Sequence, residues 1–251
     1  MESLVKVENL SKVFKDQGKG EVQALVNLNF ELRAGEIFGL LGPNGAGKTT
    51  ALRIISTLMQ PTSGDVFIAQ LNLRDNARRA KEYLGFLTAE MNLYDYFTVR
   101  ELLFFFGQVN GLTHTYITDR ISWLVELLDL EKYIDRRVDN FSTGMKQKVS
   151  IARALLPDPP IIIFDEPING LDLMASRVVT NLIRELKNEG KSIIISTHNM
   201  NLAENLCDRI GILFEGELRG VGTIEELARN TGQNTLEDIF FKMVGEFSEL
   251  E

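Results

Sequence analysis

The chain has 251 residues, of which 44% are hydrophobic and 25% charged, the balance of a globular protein able to bury a real core. Lys and Arg total 27 against 35 Asp and Glu, a net charge of -8, which argues against a general binder of duplex DNA or RNA, where positive charge must replace phosphate counterions. No apolar run approaches the roughly 18 residues of a spanning helix, and Glu2 and Glu8 break any signal-peptide pattern, so neither a membrane span nor an export signal is expected.

In chain order, Leu4-Val5-Lys6-Val7 alternates and Val22 to Leu32 is apolar at mostly every second position, so the first forty residues read as short strands. Lys15 to Gly20 is a polar, glycine-bearing turn between them. Ile37 to Leu41 is a compact buried strand that runs into a glycine-rich loop. Thr50 to Met59 then has helical spacing, closed by Pro61-Thr62-Ser63-Gly64.

From about Arg74 to Leu156 the pattern is mainly helical, with Ile121, Leu124, Val125 and Leu128 on one face. Ile161 to Phe164 and Ser192 to Ser196 are further compact strands, separated by a helix with Val179, Leu182, Ile183 and Leu186 aligned. Strands alternating with helices predict a mostly parallel sheet covered on both sides, interrupted by a helical insertion. The single cysteine, Cys207, cannot form an internal disulfide, which fits a reducing cytoplasm. It closes the helical run Leu202 to Cys207 and reads as a buried structural thiol. Thr223 with Glu226, and more weakly Thr235 with Asp238, mark helix starts in the tail.

The motif Gly42-Pro43-Asn44-Gly45-Ala46-Gly47-Lys48-Thr49 matches G-x-x-x-x-G-K-[ST], with a buried strand before it and an amphipathic helix after it. Its glycines let several backbone N–H groups curl toward phosphate oxygens, and the helix beginning near Lys48 adds its positive dipole end. In such a loop Lys48 supplies an ammonium for the β- and γ-phosphates, Thr49 offers a hydroxyl to Mg²⁺, and Thr50 donates near the α-phosphate. Ile161 to Phe164 ends in Asp165 and Glu166, at the strand edge where open α/β sheets bind ligands. Asp165 is expected to hold Mg²⁺ and Glu166 to orient and polarise the attacking water.

Asn140-Phe141-Ser142-Thr143-Gly144-Met145-Lys146-Gln147-Lys148, with Ile151-Ala152-Arg153-Ala154-Leu155 after it, resembles the signature of ABC-transporter ATPases. The usual Leu-Ser-Gly-Gly-Gln stands here as Phe-Ser-Thr-Gly-Met, keeping Ser142 and Gly144. A serine hydroxyl and free N–H groups at a helix start form a second anion site, and the resemblance implies that it faces ATP held by an opposite subunit. Asn169-Gly170-Leu171-Asp172 looks like the D-loop of that family, making Asp172 an interface residue. His198, after Ser196 and Thr197, falls at the switch histidine and is expected to contact the γ-phosphate and position Glu166 and water. Phe14 stands where an aromatic stacks on adenine, with a plain core phenylalanine as the rival reading. The family's Q-loop glutamine falls at Ala89, whose side chain cannot bind Mg²⁺, and Glu90 is one position out of frame. His114, in a polar turn, reads as a surface residue.

The resemblance implies an α/β fold: a phosphate-loop NTPase core with a mostly parallel sheet, an N-terminal antiparallel β subdomain and an inserted α-helical subdomain. The core is placed at about 1–88 and 157–217, the helical subdomain at about 89–156, and a helical tail at about 218–251. It further implies an ATP- and Mg²⁺-dependent ATPase in a head-to-tail dimer, a second ATP-binding subunit identical to the first, and a separate integral-membrane permease. The expected place is the cytoplasmic face of the membrane, with no nucleic-acid partner. Arg100 to Gly107, with Leu102, Leu103, Phe104, Phe105 and Phe106, either packs within the helical lobe or lines a groove for a permease helix. The signature, Phe86 to Glu90 and Asn92 to Val99 look most like the branch that includes sodium-extruding exporters, so sodium or drug export is the expected work. The rival is a soluble ABC-class ATPase acting on ribosomes or DNA repair, although neither tandem cassettes nor long coiled-coil insertions are visible. A phosphate-loop GTPase or kinase would lack a reason for the signature, and no Asn-Lys-x-Asp motif occurs.

Overall fold

The computed structural model describes residues 3–16, 20–88, 93–94 and 96–245. Two sheets form the frame. The first has the order β2-β1-β4-β5 and is antiparallel throughout, from β1 (Ser3–Asp16), β2 (Gly20–Arg33), β4 (Ser63–Ile68) and β5 (Leu71–Asn72). The expected short strands of the first forty residues are thus two long ones of 14 residues each. Register shifts between Val7 and Leu10 and beyond interrupt their alternation, and Asn9 and Asn27 take positive φ of 49° and 51°. Bulges of this kind bend a long ribbon and blur its period of two in the sequence.

The second sheet has the order β10-β9-β3-β8-β7-β6. Its strands are β3 (Ile37–Leu41), β6 (Leu84–Leu87), β7 (Ile161–Asp165), β8 (Ser192–Thr197), β9 (Arg209–Phe214) and β10 (Glu217–Gly222). All neighbours are parallel except β9 and β10. The three central strands are buried at every position, which explains their unbroken apolar runs: both faces are covered. Phe30 of β2 stacks on Phe38 of β3 at 5.0 Å and 4° between planes, tying the two sheets together.

Helix α2 (Leu73–Ala80) lies beside β4 and β5 of the first sheet, whereas α1 (Lys48–Ile55) touches β2 of the first and β7 and β8 of the second. Helix α1 ends earlier than the spacing predicts, because Thr57 adopts φ 62° while Leu58 and Met59 donate back to the Arg53 carbonyl. The insertion carries α3 (Val99–Val109), α4 (His114–Leu127) and α5 (Thr143–Leu155). The stretch read as mainly helical from Arg74 is interrupted by β6, a four-residue edge strand too short to show a period. Helices α6 (Leu173–Asn188) and α7 (Met200–Leu206) pair with the parallel strands. The tail read as helical from about residue 218 opens instead with β10, and its helices are α8 (Ile224–Thr231) and α9 (Leu236–Val244). Their apolar faces cover β9, with Leu227, Leu236, Ile239 and Phe240 packed on Ile210 and Ile212. No helix among the described residues is long and apolar enough to cross a membrane.

Candidate functional site

Parallel pairing brings the C-terminal ends of β3, β8 and β7 side by side, with Leu41 opposite Thr197 and Ser196 opposite Asp165. Three loops therefore leave the sheet at one point: 42–47 toward α1, 166–172 toward α6, and His198 toward α7. Such an edge is the ligand-binding edge of open α/β sheets.

The glycine loop depends on backbone freedom at two positions. At Gly42 a Cβ would lie 2.2 Å from the Leu213 carbonyl oxygen, so the loop passes flush against β9. Gly47 caps α1 at φ 106°, and a Cβ there would meet the Ala24 oxygen at 2.5 Å. Only glycine satisfies both requirements without strain. Asn44, Gly45, Gly47, Lys48, Thr49 and Thr50 line one depression with Ala24 and Glu166, while Ala46 is buried beneath the loop. Lys48 is 5% exposed and its ammonium donates to the carbonyls of Gly42 (2.7 Å) and Pro43 (3.1 Å). It also lies 3.2 Å from a Glu166 carboxylate oxygen.

The acids at the end of β7 point to different partners. Asp165 is 1% exposed and accepts hydrogen bonds from Thr49 Oγ1 at 3.2 Å and from Ser196 Oγ. Glu166 turns toward Lys48 and the loop depression: its backbone takes φ 50°, and its N–H donates to the carbonyl and hydroxyl oxygens of Ser196 at 3.2 and 3.0 Å. His198 Nδ1 sits 3.1 and 3.0 Å from the two Glu166 carboxylate oxygens. Lys48, Thr49, Asp165, Glu166 and His198 thus form one connected cluster. Ser196 binds the Asp165 carboxylate and the Glu166 backbone and was given no role from the sequence; its signal was a hydroxyl residue directly after three consecutive isoleucines. Thr49 and Asp165 present two hard oxygen donors, the set that Mg²⁺ takes from a protein when phosphates and water complete its shell.

Ser142 and Gly144 lie elsewhere. Ser142 caps α5 and accepts from the Met145 N–H at 3.3 Å. With Gly144, Met145, Lys148, Asp129, Asp172 and Met174 it lines a second depression that shares no lining residue with the first. Asp172 caps α6 by accepting from Ala175 N–H at 2.8 Å, and a Cβ on Gly144 would lie 3.1 Å from that of Ala175. The signature and the D-loop segment therefore form one corner of the molecule.

Phe14 lies opposite Val22 on the β1–β2 ribbon, two residues from Ala24. It is 38% exposed, with the Lys12 ammonium 5.2 Å above its ring, so it is not a core residue. His114 opens α4, its ring edge-on to Phe104 at 4.7 Å. Ala89 and Glu90 lie outside the described residues.

A phosphate loop, a strand-end acid pair and a lysine threaded back into its own loop define a phosphate-loop ATPase. Residues 25–169, more than half of the chain, match the family model described as ABC transporter. The chain is 38% identical over 238 residues to the ABC transporter ATP-binding protein NatA of Bacillus subtilis, covering 94% of this chain and 96% of that one. It is 34% identical to the linearmycin resistance ATP-binding protein LnrL of the same organism, across 93% of this chain and 73% of that one. An ATP-binding cassette solved as a dimer in a post-hydrolysis state, bound to ADP and Pi, superposes with a TM-score of 0.79. Its identity is 29%, over 88% of this chain and 98% of that chain. The chain belongs to the ABC transporter family and is an ATP-binding, ATP-hydrolysing subunit of that class. These relatives do not single out the sodium-extruding branch, which is narrower than the likeness supports.

Proposed function

We propose that this subunit works as a head-to-tail dimer that clasps two ATP molecules and drives a separate membrane permease. The observation that carries this reading is the separation of the two phosphate-binding surfaces: the loop around Lys48 and the Ser142 helix start open on different depressions. Each is half of a site, and a second copy turned by a two-fold axis supplies the missing half to both.

In each half, the N–H groups of the loop and the start of α1 bind the phosphates. Lys48 exchanges its Gly42 and Pro43 carbonyls for β- and γ-phosphate oxygens, and Thr50 donates near the α-phosphate. Glu166 orients and polarises the attacking water, while His198 holds that carboxylate and reaches the γ-phosphate. Thr49 and Asp165 would hold Mg²⁺, which supplies charge neutralisation at the phosphates when bound. Phe14, exposed on the ribbon, offers a ring to adenine; such stacking contributes about 1 kcal/mol. Ser142 and Gly144 of the opposite copy cap the γ-phosphate, and Asp172 lies beside them. ATP binds the closed form better than the open one, so hydrolysis releases it.

On the helical lobe, Leu102 and Leu103 of α3 are buried while Phe105, Tyr94 and Tyr96 stay exposed. These aromatics form the surface on which a permease helix would dock at the cytoplasmic face of the membrane. Export fits the resistance role in the name of the relative LnrL, with a drug or sodium as cargo.

Glu166→Gln should lower the ATP turnover rate at least about 100-fold, the usual scale for general-base loss, and accumulate an ATP-bound dimer by size-exclusion chromatography. Lys48→Ala should abolish both turnover and dimer formation. Turnover at the wild-type rate in Glu166→Gln would remove the carboxylate from its role, and a variant that stays monomeric at saturating ATP would remove the clasp.

A further inference from the structure

Gln147 is a glutamine in the middle of α5 with only 4% of its surface exposed. A buried primary amide must find partners or lose its hydration outright. Its Nε2 donates to the carbonyl of Pro167 at 3.1 Å, 20 residues further along the chain. Pro167 directly follows Glu166, so the amide grips the peptide next to the residue assigned to polarise water.

The strained segment is held from two directions. From the core, Ser196 of β8 accepts the Glu166 N–H through its carbonyl and hydroxyl. From the helical lobe, Gln147 holds the following carbonyl. Between these clamps Glu166 keeps φ 50°, a left-handed conformation that costs a non-glycine residue about 1 kcal/mol and persists only when neighbours enforce it. Helix α5 also begins at Ser142, five residues before Gln147, or about 7.5 Å along the helix axis. One rigid helix therefore carries a phosphate-binding start and a grip on the loop of the catalytic carboxylate.

We propose that Gln147 is a positioning residue that couples the seating of the opposite copy's nucleotide on Ser142 to the orientation of Glu166 in its own site. This rests on the two-copy clasp argued above. When the opposite γ-phosphate draws the α5 start inward, the helix moves as a body and the amide carries the Pro167 carbonyl with it. Glu166 then turns toward its water only when the other half of the assembly is loaded. Nucleotide binding to the single loop is untouched, because Gln147 contacts none of its residues among the hydrogen bonds of the described chain.

The test uses Gln147→Met, close in shape but without a donor, and Gln147→Glu, whose carboxyl donates only while protonated. For Gln147→Met the expected result is a turnover rate down about tenfold, the equivalent of 1.4 kcal/mol, with KM for ATP within about twofold. Melting temperature should be preserved, as should the ATP-dependent dimer in a Glu166→Gln background. For Gln147→Glu the ratio of variant to wild-type turnover should rise as pH falls and the buried carboxyl takes up its proton. A Gln147→Met turnover within twofold of wild type overturns the proposal. So does a loss of turnover matched by equal loss of dimer or of melting temperature, which would make the residue merely structural. If Glu166→Gln alone fails to dimerise with ATP, it is the clasp that falls, and the coupling with it. If Glu166→Gln dimerises and both Gln147 variants turn over normally, the clasp stands and only the coupling is lost.

Discussion

At the residue scale, the site is made by side chains doing what their neighbours force on them. Lys48, nearly buried, is held by two carbonyls and a carboxylate, since an amine head group stripped of water without partners is strongly disfavoured. Cys207 shows the reverse case. Its sulfur lies over Gly39 of the central strand, where a Cβ would approach it to 2.6 Å, and burial first, then the Asp208 charge, push the thiol from 9.0 up to about 12. Because the folded state holds this proton more tightly than the unfolded one, the associated stability is complete below pH 9 and is lost as pH rises toward 12. Urea midpoints across that window should fall more steeply for the native chain than for Cys207→Ala, and iodoacetamide should leave Cys207 unlabelled at pH 8 until the chain unfolds.

At the element scale, three helix starts frame the candidate site. The starts of α1, α5 and α6 are capped by Gly47, Ser142 and Asp172. The α6 start bears Leu173 at 84% and Met174 at 72% exposure, beside the Ser142 depression. Two large apolar side chains so exposed side by side suit the contact surface of the proposed dimer. Leu173→Asp should leave the melting temperature unchanged yet weaken the ATP-dependent dimer about tenfold or more, the cost of burying a charge in an apolar contact. Analytical ultracentrifugation in the Glu166→Gln background reads this directly, and an unchanged dimer constant would place the contact elsewhere. Helix α5 was legible as a helix capped at Ser142. Nothing in its spacing shows that Gln147 points inward at a loop 20 residues away, because a lone polar residue on an apolar face has the same pattern whatever it touches.

At the scale of the whole molecule, the helical lobe and the core meet at Asp158, between α5 and β7. Its backbone takes φ 57°, and its carboxylate receives Arg120 of α4 at 3.1 Å and Lys191 before β8 at 2.8 Å. The same Arg120 donates to the Leu155 carbonyl at the end of α5 at 3.0 Å. One acid thus ties α4 of the lobe to the segment before β8 of the core. Asp158→Ala removes both ion pairs and leaves two part-buried cations, so it should cost about 1–3 kcal/mol in urea denaturation. Asp158→Asn, which keeps acceptor oxygen for one of them, should cost less.

The glycine loop, the strand-end acids, the capped signature helix and the parallel character of the central strands were all readable from the sequence. Each is encoded within a few consecutive residues by backbone freedom, periodicity or unbroken apolarity. The interrupted alternation of β1 and β2, the four-residue β6 and the return of the chain through β10 were not readable, because bulges and short edge strands leave no period to detect. Nor could the sequence say which of these side chains meet. That Lys48, Asp165, Glu166, Ser196 and His198 form one cluster, and that Ser142 stands apart from it, was decided only by the tertiary fold: the order in which the sheet lays its strands side by side brings together residues more than 100 positions apart.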